Sequence, residues 1–476
     1  IFSSLLLCCF PALLLFPSHS LPLPFLMRSR VVITGLGPVC SSGIGIDQFW
    51  DSLLESRSAL NTIEAFDASG YRPKLAGEVR DVKIRDFVPK SYRKATKVMA
   101  RDTQLAVIAA KLAALDAGLI TRGSDDTESG FTINPERTGC QIGAGLIAAD
   151  TEELSRAVVS AKDDSGKFSM EKWGTEGIGE SGMNNLPPLW LLKYLPNMLA
   201  CHVTIIHGLE GPSNTIMGAE ASAILSIGES ARVIERGSAD MCFTGGAESR
   251  LNPLGLLRWD YSGRLADTGD ASDGSTLTKP YDPESAGGII GEAGGMLVIE
   301  NEQHAQDRNA SIYAAIAGFG AAQSPPTMFP KQFPTAIEQP KSESSSEQAG
   351  DPIDLGLEAA IESALADAGI SANEIDLIIP LALGVPALDA MEHGALRAIF
   401  TDRLEIIPLY TLSNIVGNTM AGHGGLMAAV GAKILQTQHI PAQPTTNPIN
   451  HLLVCSGSLG GQTGALVLKR YHAKSE

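Results

Sequence analysis

Two textures of apolar residues alternate along the chain: short β-branched runs, and longer stretches in which apolar positions recur at helical spacing. Val31–Thr34 is a β-branched run closed by Gly35-Leu-Gly37, which predicts a buried strand ending in a tight turn. Asp47–Arg57 and Met99–Gly118 have helical spacing, the second ending at a glycine suited to a C-terminal cap. Cys140–Gly145 reads as a short buried strand, residues 159–190 as a polar, Gly-rich insertion or flap, and Leu192–His207 as a helix. Strands follow at Ala239–Glu248 and Gly294–Glu300. Residues 320–353 pass through Pro325-Pro326, Pro330, Pro334 and Ser342–Ser346, the composition of a solvated loop. The pattern resumes with a helix from Asp354 to Gly369, a strand at Ile375–Pro380, a helix around 389–400 and a strand at Ile406–Tyr410. A Gly-rich turn at 414–425, a helix to Gln438 and a strand at Gly464–Lys469 complete it. Strands alternating with helices predict mainly parallel sheets covered by helices, with no sequence repeat between the halves.

Composition narrows the class. With 476 residues, 44% hydrophobic content and 49 glycines, the chain can bury a large core in one layered unit or two domains. A net charge of −17 argues against nucleic acid or an anionic membrane surface as partner, since both call for clustered Lys and Arg. Seven cysteines show no CxxC pair and no metal spacing, so they read as small buried hydrophobes in a reducing, cytoplasmic compartment, with no metal or cofactor expected. Residues 1–26 carry no Lys, Arg, Asp or Glu, yet lack a basic start and are broken by Pro11, Pro17, Pro22 and Pro24. They read as an extension outside the fold rather than as a signal or anchor, with Met27 preceding the first strand.

The most telling stretch is Gly211-Pro-Ser-Asn-Thr-Ile-Met-Gly-Ala-Glu220-Ala-Ser-Ala-Ile-Leu-Ser-Ile-Gly228. It reads as a strand, a tight turn of small residues, then a helix. Such an elbow lets one side chain stand above a sheet while the helix aims its positive dipole end at it. That arrangement activates a nucleophile, but here the exposed position is a glutamate. A carboxylate at a helix start gains about 0.3–1 kcal/mol from the dipole.

Together with its companions, this elbow resembles that of the β-ketoacyl-acyl-carrier-protein synthases, or ketosynthases, of the thiolase superfamily. In that family Thr-Ala-Cys-Ser/Thr-Ser carries the acylated cysteine, and the matching positions here are Gly218-Ala219-Glu220-Ala221-Ser222. Val32–Gly37, Phe243-Thr-Gly-Gly-Ala-Glu248, Lys279-Pro-Tyr-Asp282 and Gly291-Glu-Ala-Gly-Gly-Met-Leu-Val298 are similar to further family motifs, in order, from about Arg30 to Arg470. The resemblance implies an α/β thiolase-like fold: two similar halves of mostly parallel sheet layered between helices. It divides the chain into an N-terminal half at 27–305, a Pro/Ser-rich start of the second half at 306–353, and its remainder at 354–476.

The family's chemistry needs a thiolate, two imidazoles, backbone oxyanion donors and a lysine behind the second histidine. Counting back from Asp389 and Glu392, leucine (Leu381) stands where the first histidine is implied. In Ser413-Asn-Ile-Val-Gly-Asn418, Ser413 replaces the lysine and Asn418 the second histidine. The last motif survives as Ser458-Leu459-Gly460-Gly461-Gln-Thr463 without its gating phenylalanine. Leu459, Gly460, Gly461 and Glu392 are the implied substrate-facing positions. His423 lies five residues beyond Asn418 and His393 adjoins Glu392, and both are expected in structural roles. Cys201, Cys242 and Cys455 sit in apolar contexts away from any elbow. The fold predicts Leu381, Asn418 and the 459–461 turn within roughly 4–8 Å of Glu220, one side-chain length. The resemblance implies a partner subunit of fatty acid or polyketide synthesis, without condensing activity and similar to a chain-length factor. An acyl carrier protein and an active ketosynthase are its implied partners. The rival readings are a divergent, active 3-oxoacyl synthase and a homodimeric acyl-binding protein.

Overall fold

The computed structural model describes residues 29–472 except 126–127, 129, 175–180, 325–351, 446 and 459. The segment 1–26, most of the Pro/Ser-rich loop and Leu459 therefore lie outside the described residues. Nine strands form one continuous path: β1 (Val31–Cys40), β2 (Thr138–Gly143), β3 (Ser213–Ile216), β4 (Met241–Glu248), β5 (Ala293–Asn301), β6 (Ala314–Gln323), β7 (Leu377–Ile379), β8 (His451–Gly457) and β9 (Gln462–Arg470). Their order across the sheet is β7-β8-β9-β6-β1-β5-β4-β2-β3. Helices α1 (Arg101–Asp116), α2 (Met198–His207), α3 (Ser222–Glu235) and α4 (Leu355–Ala368) pack on it, α5 (Pro386–Phe400) packs against α4, and α6 (His423–Thr437) lies on the sheet again.

The sheet is mixed. Its outer strands pair in parallel, β3-β2-β4 at one end and β7-β8 at the other. The ladders β4-β5, β5-β1, β1-β6, β6-β9 and β9-β8 between them are antiparallel. Alternation of strand and helix had pointed to parallel pairing. It fails for the β8-β9 pair because residues 458–461 that join the two strands are too few for a crossover helix, and the central strand β1 is antiparallel to both of its neighbours, β6 and β5. Strands β6 and β8 are additions to the sequence reading. Conversely, Ile406–Tyr410 is no strand: only Leu409 bridges to Ile378, in parallel. The 159–190 insertion is partly helical, with a short helix at Met170–Gly174 and a 3-10 turn at Gly182–Asn185, and it follows a helix at Thr151–Ser160 whose N-terminus is capped by the Asp150 side chain. The helix expected over Leu192–His207 is interrupted after Lys193 and resumes at Met198, beyond Pro196.

The two halves do repeat, contrary to the sequence reading. Each first strand carries Ile-x-Gly-x-Gly, as Ile33-Thr-Gly35-Leu-Gly37 and Ile316-Ala-Gly318-Phe-Gly320. Each has a register shift between its isoleucine and first glycine, and each faces a helix with alanines four apart. A methyl group on Gly37 would lie 2.0 Å from the Ala109 carbonyl, and one on Gly320 2.0 Å from that of Ala360. These glycines let α1 and α4 settle onto the sheet backbone. Helices α3 and α6, buried on most positions, meet between the halves. Their N-termini frame the site. Among the described residues no helix is long and apolar enough to cross a membrane.

Candidate functional site

Glu220 sits where the elbow was expected. β3 ends at Ile216, a short turn of 3-10 helix spans Ala219–Ala221, and α3 begins at Ser222. Gly218 N–H donates to Ser222 Oγ at 2.8 Å, which closes the turn, and Ala219 takes a positive φ of 47°. The Glu220 side chain is fully buried, and its Oε1 accepts from Arg264 Nη1 at 2.9 Å and Asn418 Nδ2 at 3.2 Å. The Arg264 guanidinium also lies over the Trp259 ring, 5.5 Å from its centre. The elbow therefore holds a buried ion pair, with Asn418 at the place implied for the second histidine.

Two other non-glycine residues with positive φ stand beside it, Ala382 (43°) and Met420 (54°). Left-handed backbone of this kind costs of order 1–3 kcal/mol and persists only where neighbours hold it. The neighbours are on hand. Glu392 accepts from the N–H groups of Leu381 (3.0 Å) and Ala382 (2.9 Å), while Ser413 Oγ donates to the Ala382 carbonyl. Asn418 Oδ1 accepts from Met420 N–H at 2.9 Å. Ser413, at the implied lysine position, thus clamps the backbone next to Leu381.

Leu381, Ala382, Glu392, Gly457 and Gly461 line a narrow cleft of about 50 Å³, which Arg264 also lines. The structure brings Glu220 and Asn418 into contact, and Arg264 links them to the cleft that Leu381 and Gly461 border. The Gly460 carbonyl accepts from Gln323 Nε2 at 2.8 Å. Burial pushes the Glu392 carboxyl up to about 8, with the Asp389 charge adding to it, even though Tyr281 donates a hydrogen bond at 2.7 Å. Burial likewise raises Asp389 to about 6. Below the elbow, Glu248 is fully buried and ion-paired to Arg250, and burial lifts its pKa to about 7.

His423 is the first residue of α6, fully buried, with Nδ1 3.2 Å from Thr419 Oγ1. Burial lowers its pKa to about 4, so it is a neutral ring at the helix start. His393 makes an edge contact with the Tyr281 ring at 5.6 Å. Burial raises the Cys40 and Cys242 thiols to about 12 and that of Cys455 well above its usual range, the opposite of thiolate activation. Arg264 is the site residue that sequence reasoning missed. Its only forewarning was physical: a carboxylate at a buried elbow needs a cation.

This geometry defines a thiolase-type α/β protein whose elbow carries a buried glutamate–arginine ion pair. Comparison with known proteins supplies the family. Models of the β-ketoacyl synthase N-terminal and C-terminal domains match residues 28–305 and 339–447, and the chain belongs to the β-ketoacyl synthase family. It is 26% identical to 3-oxoacyl-(acyl-carrier-protein) synthase 2 of Staphylococcus aureus strain COL, over 94% of this chain and 99% of the relative. The protein of the same name from Vibrio harveyi is also 26% identical, over 93% and 99%. Among solved structures, the ishigamide ketosynthase/chain length factor matches with a TM-score of 0.72 at 21% identity, covering 94% of this chain and all of that one. A type II polyketide acyl-carrier protein in complex with its ketosynthase matches at 0.71 and 22%, covering 93% and 100%.

Proposed function

We propose that this chain is a non-condensing subunit of fatty acid or polyketide synthesis, of the chain-length-factor kind, whose cleft receives an acyl chain that it never binds covalently. The observation that carries this reading is the Glu220–Arg264 ion pair at the elbow. Decarboxylative condensation begins with acyl transfer to a thiolate, and a carboxylate could take the acyl group only as a mixed anhydride, too reactive to hold a chain. Asn418 and Leu381 offer no imidazole to the enolate that follows, and His423 is occupied at the start of α6. The relatives' names and the carrier-protein complex among the structural matches support an acyl carrier protein as the donor of the chain.

Intact-mass measurement after incubation with an acyl-carrier-protein thioester tests it. The expected spectrum shows unmodified protein, and a stoichiometric, thiol-sensitive acyl adduct would overturn the reading. Glu220→Cys is expected to restore no condensation, because a thiol alone leaves the decarboxylation step without its imidazoles.

The sheet ends at β3, where Ser213 and Asn214 are exposed and Ile205 and Met217 stand about half exposed beside them. An uncovered edge with apolar flanks favours pairing with a second subunit. An active ketosynthase fits a subunit without chemistry of its own, through an interface of about 2,000 Å² or more. Light scattering after size-exclusion chromatography is expected to give a heterodimer on co-expression. A monomer under all conditions would remove the partner, and a homodimer indifferent to the ketosynthase would favour an acyl-binding protein.

A further inference from the structure

We propose that the Glu220–Arg264 pair acts as a selectivity device in the cleft, favouring acyl chains with a neutral oxygen acceptor near the elbow over plain hydrocarbon chains and over chains ending in a carboxylate. This rests on the acyl-cleft reading above. Arg264 lines the cleft with a side chain 7% exposed, and of its N–H groups only one on Nη1 is engaged, with Glu220. Its Nε and Nη2 donate to no described residue.

The other polar side chains of the lining are committed within the fold. Ser324 Oγ donates to Asp354, and Ser458 Oγ to Gln462 at 2.9 Å. Glu392 holds the Leu381 and Ala382 N–H groups, and Asp389 accepts from those of Tyr281 (2.9 Å) and Gly384 (3.0 Å). Arg264 is therefore the side chain of the lining with donors left for a ligand. The rest of the wall is apolar, including Leu357, Leu383, Leu388 and Met391.

Charge decides which acceptor fits. Glu220 already balances the guanidinium, so a ligand carboxylate would add a second negative charge to a neutral, desolvated pair. Asp389 on the same wall disfavours it further. A carbonyl or hydroxyl oxygen accepts from the spare N–H groups without that penalty, whereas a hydrocarbon leaves those donors stripped of water and unpaired. Stacking on Trp259 and the bond to Glu220 hold the guanidinium in place, so little ordering is needed on binding. Arg264 supplies the donor, and Glu220 sets the preferred charge.

Calorimetric titration with three pantetheine thioesters of equal chain length tests the proposal: saturated, 3-oxo and carboxyl-terminated. The 3-oxo compound is expected to bind about tenfold more tightly than either other, the worth of one hydrogen bond to a charged donor. Glu220→Gln should move the preference toward the carboxylate. Glu220→Gln/Arg264→Met, which removes both charges together, should leave the saturated and 3-oxo compounds equal. Arg264→Lys keeps the charge but shortens the reach, and should weaken the 3-oxo preference if the double variant does not fold. Equal affinities in the wild type, or a 3-oxo preference that survives loss of Arg264, would overturn the selectivity device while leaving the acyl cleft intact. If none of the three compounds binds, the acyl cleft itself fails, and the inference with it.

Discussion

Arg264→Met is expected to cost about 3–5 kcal/mol of stability, the penalty for leaving one member of a buried ion pair without its partner. Adding Glu220→Gln to that variant is expected to recover most of the loss. The reason lies in exposure. Glu220 is at 0% and the Arg264 side chain at 7%, with 2.9 Å between their charged atoms. At the surface, Arg57 and Glu55 form a pair with both side chains about 60% exposed, and such pairs contribute about 0–1 kcal/mol because water screens them. Inside the elbow little water is present to stabilise a lone carboxylate, and Asn418 gives a hydrogen bond but no countercharge. Removing both charges removes the penalty, and well-packed neutral side chains at a buried pair commonly match or exceed it in stability. Urea denaturation of the wild type, both single variants and the double variant closes the cycle. If Arg264→Met unfolds at the wild-type midpoint, or if Glu220→Gln fails to rescue it, the pair is not what holds the elbow.

The pair was half legible. Small residues between an apolar strand and an apolar helix exposed the elbow, and the glutamate stood out because its type disagreed with its setting. Arg264 was not visible, because it lies 44 residues away in sequence, on an irregular segment with no period to place it. Only the fold makes it a neighbour. The missed strands have a related explanation. β6 reads Ala314-Ala-Ile-Ala-Gly-Phe-Gly-Ala-Ala-Gln323, nearly devoid of β-branched residues, since its glycines and alanines are there to admit α4 closely. The same requirement shaped β1 and α1, so the Gly-x-Gly strand facing a helix with alanines four apart was a repeat in plain view. It escaped notice because the repeated property is small size rather than hydrophobic pattern. Ile406–Tyr410 failed in the opposite sense: the composition suits a strand, but only Leu409 reaches a neighbour.

Stability is expected to fall by several kcal/mol as the pH rises from about 4.5 to about 8, and Glu392→Gln should flatten much of that slope. Glu392 has an ordinary value of 4.5 and is raised to about 8, first by burial and then by the charge of Asp389. Between those values the folded protein keeps a proton that the unfolded chain has released. The unfolded state therefore binds fewer protons, and the free energy of unfolding declines with rising pH, by up to about 1.4 kcal/mol per unit for a single group. Below about 4.5 both states are protonated and this contribution is flat. Above about 8 both are ionised, and the full cost of a buried carboxylate is present. Asp389, Glu248 and Asp102, raised to about 6, 7 and 6, tilt the curve the same way over narrower ranges. Tyr281 faces Glu392 and is pushed upward first by burial and then by the Glu392 charge, while the buried Cys455 thiol nearby is neutral across the window, so neither supplies a compensating charge. Glutamine imitates the protonated acid in shape and charge and can still accept from one of the Leu381 and Ala382 N–H groups. Its loss of the other should lower stability at pH 5, where the wild-type acid is neutral, and narrow the gap at pH 8. Urea midpoints measured at both values check this. Parallel curves for wild type and variant would mean that Glu392 does not carry the proton, and that the 381–382 turn is held by an ionised carboxylate throughout.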